Sequence, residues 1–296
     1  MNYNFFYLLF FSCFLLSSSN LSGQSKNVSI LSIENTDKSI DLLYEKRNPG
    51  NYTLTLEFSN VDNCNIPAYE KVISESSGFL MKLQPLNKNQ NISYSLKYYS
   101  TLGAINSKID SLYRYILPFK KDKKIEIFEA EYVGQKYFDL EKSPDWKSYA
   151  VVSNMPDTVC SMRKGIVVLI NNQYNDNSTL DAQFTSRRNK VVIEHEDGTF
   201  AMYKGFKKNG IFVETGQIVN PQTELGILEK YNKKYYRLDF NFYYLSQNVL
   251  NTQNENSSFN DKNIYRYFIP VFYTQEGERY IQSGKEYTVS VNENFD

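Results

Sequence analysis

Histidine is nearly absent: His195 is the single one in 296 residues. A His-rich zinc site, a Ser-His-Asp triad or a paired-imidazole acid/base device would have to be built around that one ring. An excess of either charge is missing too. Lys+Arg and Asp+Glu both number 33, so the formal net charge is zero and no global field draws the chain to phosphate backbones. Gly 13 and Pro 8 are few for this length, and no phosphate-binding glycine loop is among them: GKEYTV near the end lacks the preceding glycine spacing and a following helix. No G-x-S-x-G elbow offers a serine nucleophile. Paired carboxylates occur in any chain of this size and carry no weight for glycosidase chemistry. Beyond the N-terminus no apolar run is long enough to cross a bilayer.

What is abundant is aromatic. Tyr 25 and Phe 20 within a 41% hydrophobic composition supply a sizeable core. Residues Phe5 to Leu16 form an apolar run followed by SSSNLSGQ, the pattern of an exported chain's signal peptide over residues 1–24, with cleavage near Gly23 to Ser25. The opening MNYN carries no Lys or Arg, so an uncleaved N-terminal anchor is the alternative. Cys13 leaves with the signal. Cys64 and Cys160 remain, either as one bridge or as two buried thiols.

Residues 25–130 read as an N-terminal antiparallel β-domain built from VSILSIE, YTLTLEF, FLMKLQPL, ISYSLKYY and KIEIFEA. In Tyr52 to Phe58 apolar residues recur at every second position, one face to a core and one to solvent. Gly103 to Leu117, with Ile105, Ile109 and Leu112 at helical spacing, predicts a short helix ended by Pro118. Residues 131–247 form a second β block. At its centre, NKVVIEHEDGTFAMYKGF predicts a hairpin turning at Asp197-Gly198. IFVETGQIVNPQTELGIL and YYRLDFNFYYL follow as further strands. Two Asn/Ser-rich stretches, from Asn171 and over residues 248–263, predict surface loops, and residues 264–296 a last hairpin turning near Glu276-Gly277. The aromatic stretches Tyr231 to Tyr244 and Tyr265 to Tyr273 suit either sheet packing or stacking on sugar faces.

Several pieces of the second block, in order, resemble the lysostaphin-like (LytM-type) peptidoglycan zinc metalloendopeptidases. Tyr149 to Pro156 (YAVVSNMP) is similar to the family's YAxDFxMP strand, and VCSMRKGIVV from Val159 to its following hairpin. VIEHEDGTFAMY from Val192 is similar to V-x-x-H-x-D-G-x-x-x-x-Y, and Gly216-Gln217-Ile218-Val219 to Leu225-Gly226 to its G-D-x-V … x-I-G element. The resemblance implies a mainly β, duplicated-hybrid-motif-like sheet domain after the N-terminal β-domain. It also implies a zinc held by an H-x-x-x-D pair and the second His of an H-x-H, with a further His assisting the metal-bound water. Imidazole and carboxylate suit that role because they hold the ion at about 2.0 to 2.2 Å and leave a position for water to acidify.

Carried over position by position, none of those ligands is present. The family's aspartate falls on Val152 and the histidine four residues before it on Ser148. H-L-H-F falls on Arg237-Leu238-Asp239-Phe240, and the Y-A-H-L histidine on Gly205. EKYNKKYY replaces the glycine-rich loop before H-L-H-F. His195 matches a scaffold position at a strand end, and Asp239 is expected to pair with a nearby cation such as Arg237 or Lys234. The resulting expectation is an exported pseudoenzyme, without cofactor, zinc belonging to active relatives alone. Ser148, Val152, Gly205, Arg237 and Asp239 would line the former active-site groove. Its partner would be peptidoglycan or a wall hydrolase in a bacterial periplasm or envelope, with no nucleic acid and no further membrane segment. The alternatives are an active zinc metalloendopeptidase with an atypical site and a purely structural envelope protein.

Overall fold

A computed structural model describes residues 27–67, 69–105, 107–132, 144–175, 187–246 and 265–291. The signal segment, the 248–263 stretch and most of the insert after Asn171 lie outside them. The fold is mainly β, and no helix occurs among the described residues.

Alternating apolar residues set the first unit. Strands β1 (Val28–Glu34), β2 (Ile40–Lys46) and β5 (Ser77–Leu83) form one three-stranded antiparallel sheet. A second comprises β3 (Tyr52–Asp62), β4 (Tyr69–Ile73) and β6 (Ser93–Leu102). Tyr52, Leu54 and Leu56 point inward from β3 as their period-2 spacing requires, and meet Leu42, Tyr44, Leu83 and Tyr98 in one core.

The second unit is an eleven-stranded sheet. Its main path runs through β14 (Ile218–Val219), β11 (Gly165–Asn171), β12 (Asn189–Glu194), β13 (Phe200–Ile211), β16 (Tyr236–Leu245), β9 (Tyr149–Ser153), β8 (Lys124–Glu129) and β20 (Lys285–Thr288). The short strands β10 (Thr158–Cys160), β15 (Glu224–Leu228) and β17 (Tyr265–Tyr267) join at its sides. A small sheet of β7 (Arg114–Ile116), β18 (Val271–Thr274) and β19 (Gly277–Arg279) lies against it. Tyr115, Leu117, Phe119, Ile125 and Ile127 share the large core with Phe240, Phe242, Phe272 and Tyr287, so residues 114–129 and the C-terminal strands close around the same interior.

The helix expected between Gly103 and Leu117 does not form. Its stripe has no core to face, since Leu112 is 79% exposed, whereas Tyr115, Ile116 and Leu117 are buried in succession, which suits a strand covered on both faces. That strand, β7, pairs in parallel with β18.

Two hairpins use the same turn chemistry. Between β12 and β13, Gly198 donates its N–H to the His195 carbonyl at 2.9 Å, and His195 donates to the Thr199 carbonyl at 2.8 Å. Asp197 Oδ1 accepts from the Thr199 N–H and hydroxyl, and Gly198 takes φ +79°, as its missing Cβ allows. Between β1 and β2, Asn35, Asp37, Lys38 and Ser39 repeat every bond, but Lys38 holds the left-handed position at φ 67°.

The two units meet at one end of the large sheet's outer face. Leu102 packs with Val168, Val192, Phe200, Met202 and Tyr243. Beside them the buried Glu194 carboxylate accepts from the Asn51 backbone N–H and side-chain amide, each at 2.8 Å. Burial pushes the Glu194 carboxyl above the ordinary range, and those two donors offset part of the cost of desolvating it.

Candidate functional site

Three neighbouring strands bring most of the expected groove positions together. In the β9–β16 register Val152 stands opposite Arg237 and Ala150 opposite Asp239; across β13–β16, Lys204 stands opposite Asp239. Gly205 follows Lys204 where β13 bends. Ser148 lies at the entrance to β9, but its buried hydroxyl donates to the Phe240 carbonyl at 3.3 Å, so it is spent on the backbone. Along β16 the residues alternate: Leu238, Phe240 and Phe242 enter the core, while Arg237 and Asp239 face the other way.

The Asp239 carboxylate accepts three charge-assisted hydrogen bonds. Oδ1 accepts from Arg237 Nε at 2.9 Å and Nη2 at 2.6 Å, and Oδ2 accepts from Arg188 Nη1. Arg188 also donates Nη2 to the Arg237 carbonyl. Both guanidiniums lie over the Tyr231 ring, at 5.0 and 5.1 Å, and Tyr231 stacks on Tyr235 at 5.6 Å across the tight loop EKYNKKYY. Arg188 is 3% exposed, Asp239 17% and Arg237 25%, so the cluster is anchored from below and open at Arg237. Gly205 makes room for it. Its φ is +131°, and a Cβ there would fall on Arg188 Nη2 and on the Arg237 carbonyl oxygen.

The expected partner of Asp239 is therefore Arg237, as read from the strand, joined by Arg188 and not by Lys234. Sequence reasoning missed Arg188, which immediately precedes β12, and also Tyr231, Lys190 and Lys204. Lys190 stands directly opposite Lys204. Burial, together with Arg188, Lys190 and Arg237, holds the Lys204 ammonium below its ordinary pKa.

Zinc requires lone pairs from neutral imidazole, thiolate or an available carboxylate. Val152 and Gly205 have none, the Ser148 hydroxyl is buried and neutral and not among zinc's usual donors, Arg237 is a cation, and Asp239 already accepts from two guanidiniums. The residues present do not fit the metal, and among the described residues no group of three His, Cys, Asp or Glu side chains gathers elsewhere to hold one.

His195 sits apart, 2% exposed, at the end of β12. Its Nδ1 lies 2.8 Å from the Lys164 carbonyl and its ring meets Tyr115 edge-on at 5.7 Å, while among the described residues Nε2 has no hydrogen-bond partner. Burial, reinforced by Arg163, drives its pKa down to about 3, so the ring is neutral and donates from Nδ1. Arg163 donates to Asp197 at 2.8 Å and to the Tyr115 hydroxyl at 2.9 Å, a buried network that fixes the hairpin turn. Cys64 and Cys160 are both buried and unbridged, and burial pushes the Cys160 thiol up to about 11, which leaves it a poor nucleophile. Most of the aromatic strand residues pack inward or on one another: Phe240, Phe242 and Phe272 are core, and Tyr243 stacks on Phe200 at 5.2 Å.

No protein-family model and no curated protein matches the sequence. Among solved structures, a zinc-containing peptidase from Vibrio cholerae is similar over 73% of this chain and 75% of its own, at 12% identity and a TM-score of 0.29. At that level the likeness carries no argument about activity.

Proposed function

We propose that this chain is an exported, non-catalytic protein of a bacterial envelope, whose larger sheet binds peptidoglycan or a partner wall hydrolase where an active relative would cut. One observation carries the reading: Asp239, at a position that the sequence aligns with a zinc ligand, is clasped by two guanidiniums, that of Arg237 at the aligned position two residues before it and that of Arg188 from ahead of β12. A site of that charge repels a divalent cation, and its one carboxylate already accepts three charge-assisted hydrogen bonds. The same arrangement supports recognition, because Arg237 is anchored from below yet reaches the surface beside the exposed Val152. The test uses the mature chain with purified cell-wall sacculi and with solubilised envelope extract. Retention on sacculi, or capture of a wall hydrolase that loses its hold on the Arg237→Ala variant, is the expected result. Stoichiometric zinc in the purified protein together with cleavage of wall peptides would overturn the proposal.

A further inference from the structure

The outer face of the large sheet carries a row of like charges that one carboxylate offsets only in part. Cross-strand neighbours share a face, so Lys190, Lys204 and Asp239 stand side by side across β12, β13 and β16. Arg237 follows two residues along that face, and Arg188 lies against Asp239. Lys204, Arg188 and Arg237 thus flank one carboxylate, whose oxygens both accept from the arginines, and Lys190 stands one strand farther off. Directly opposed lysines destabilise a sheet unless something compensates them. Asp239 attracts the Lys204 ammonium, while the cross-strand neighbours of Lys190 are Lys204 on β13 and the uncharged Asn171 on β11.

We infer that Lys190, Lys204 and Arg237 form a binding site for an oxyanion, a carboxylate or a phosphate carried by a ligand lying on this face. Each cation has a part. Arg237 offers the donors not turned toward Asp239, in a plane fixed by the Tyr231 ring beneath it. Lys204 supplies a partly desolvated ammonium and Lys190 a second cation directly opposite it, and an arriving anion relieves their mutual repulsion. Arg188 holds Asp239 in place so that this carboxylate does not swing across to the lysines. The inference rests on the reading that this face binds and does not hydrolyse.

The test is calorimetric titration of the mature chain at low ionic strength with three probes: inorganic phosphate, an N-acetylated dipeptide with a free C-terminal carboxylate, and the same dipeptide as its C-terminal amide. Binding of phosphate, of the free-acid dipeptide, or of both is expected, weakening as salt is added, with the amide silent. Phosphate alone identifies a phosphate-bearing ligand, and the free acid alone identifies a chain-terminal carboxylate. Lys204→Gln should weaken the bound probe about tenfold, the effect of losing one charge-assisted contact. It should also melt no lower than the parent, since it removes a repulsion. Lys190→Gln provides the same comparison if the first variant fails to fold. Equal affinity for acid and amide with no phosphate binding, or oxyanion binding unchanged in both variants, overturns the site. Sacculus retention separates the two readings: retention with no oxyanion binding removes this site and spares the envelope role, whereas oxyanion binding without retention on sacculi or capture of a hydrolase does the reverse.

Discussion

Replacing His195 by asparagine should remove a large part of the acid sensitivity that this ring builds into the fold. The unfolded ring titrates near its ordinary 6.5, whereas in the folded chain its pKa is about 3. A folded pKa below the unfolded one means that the contribution to stability is complete above about pH 6.5 and is lost as pH falls from there toward 3, because the unfolded chain takes up a proton that the folded chain refuses. Between about pH 7.5 and about pH 5.5 the unfolded ring passes from roughly a tenth to roughly nine-tenths protonated, which lowers folding stability by about 1 kcal/mol. Asparagine keeps an N–H able to reach the Lys164 carbonyl and cannot titrate. Urea unfolding of both proteins at the two pH values gives the comparison. Contributions from Asp197, held low by Thr199, Asp110 and Arg163, and from Glu194, held high by burial, are common to both chains and cancel. The parent should lose about 1 kcal/mol more than the variant on acidification. Parallel losses would show that the folded ring protonates freely, and the account of its burial would be wrong.

Gly205→Ala should cost at least about 2 kcal/mol, since a Cβ at φ +131° would displace Arg188 and the Arg237 carbonyl, and chemical denaturation would register it. Lys38→Gly should raise stability by about 1 kcal/mol in the same assay, because glycine holds the left-handed turn position without strain and the lysine gives up just one exposed bond, to the Asn89 carbonyl. Asn51→Ala should lower stability by about 2 kcal/mol, as it strips one donor from the buried Glu194 carboxylate; hydrogen exchange should then rise at the seam between the units before it rises in the large core.

The fold was legible where local rules act without interference. β3 follows its period-2 pattern, and the β12–β13 hairpin turns at Asp197-Gly198 as the residues demand. β2 escaped notice because a lysine occupies one of its inward positions: Lys46 is buried, with its ammonium held by the Gly50 and Ser74 carbonyls, and so breaks the apolar alternation. The stripe at Ile105, Ile109 and Leu112 misled because helical spacing says nothing about whether a core lies beneath it. At the site, Arg237 and Asp239 were readable as neighbours since residues two apart on a strand share a face. Arg188 was not, as no local pattern links it to a residue 51 positions later. Lys190 opposite Lys204 was within reach: once the turn centres on Asp197, counting outward pairs them, but their shared charge carries meaning only after Asp239 is seen to be occupied.

The seam with the N-terminal unit has a consequence for shape. On β13, Lys204 and Phe200 face the same way four residues apart, about 13 Å along the strand, and Phe200 already lies under Leu102 and Gly103. The exposed floor beside the lysines therefore runs into a wall. A guest following the strand direction has room for a chain end of a few units, and a long polymer has to cross the strands instead of running along them.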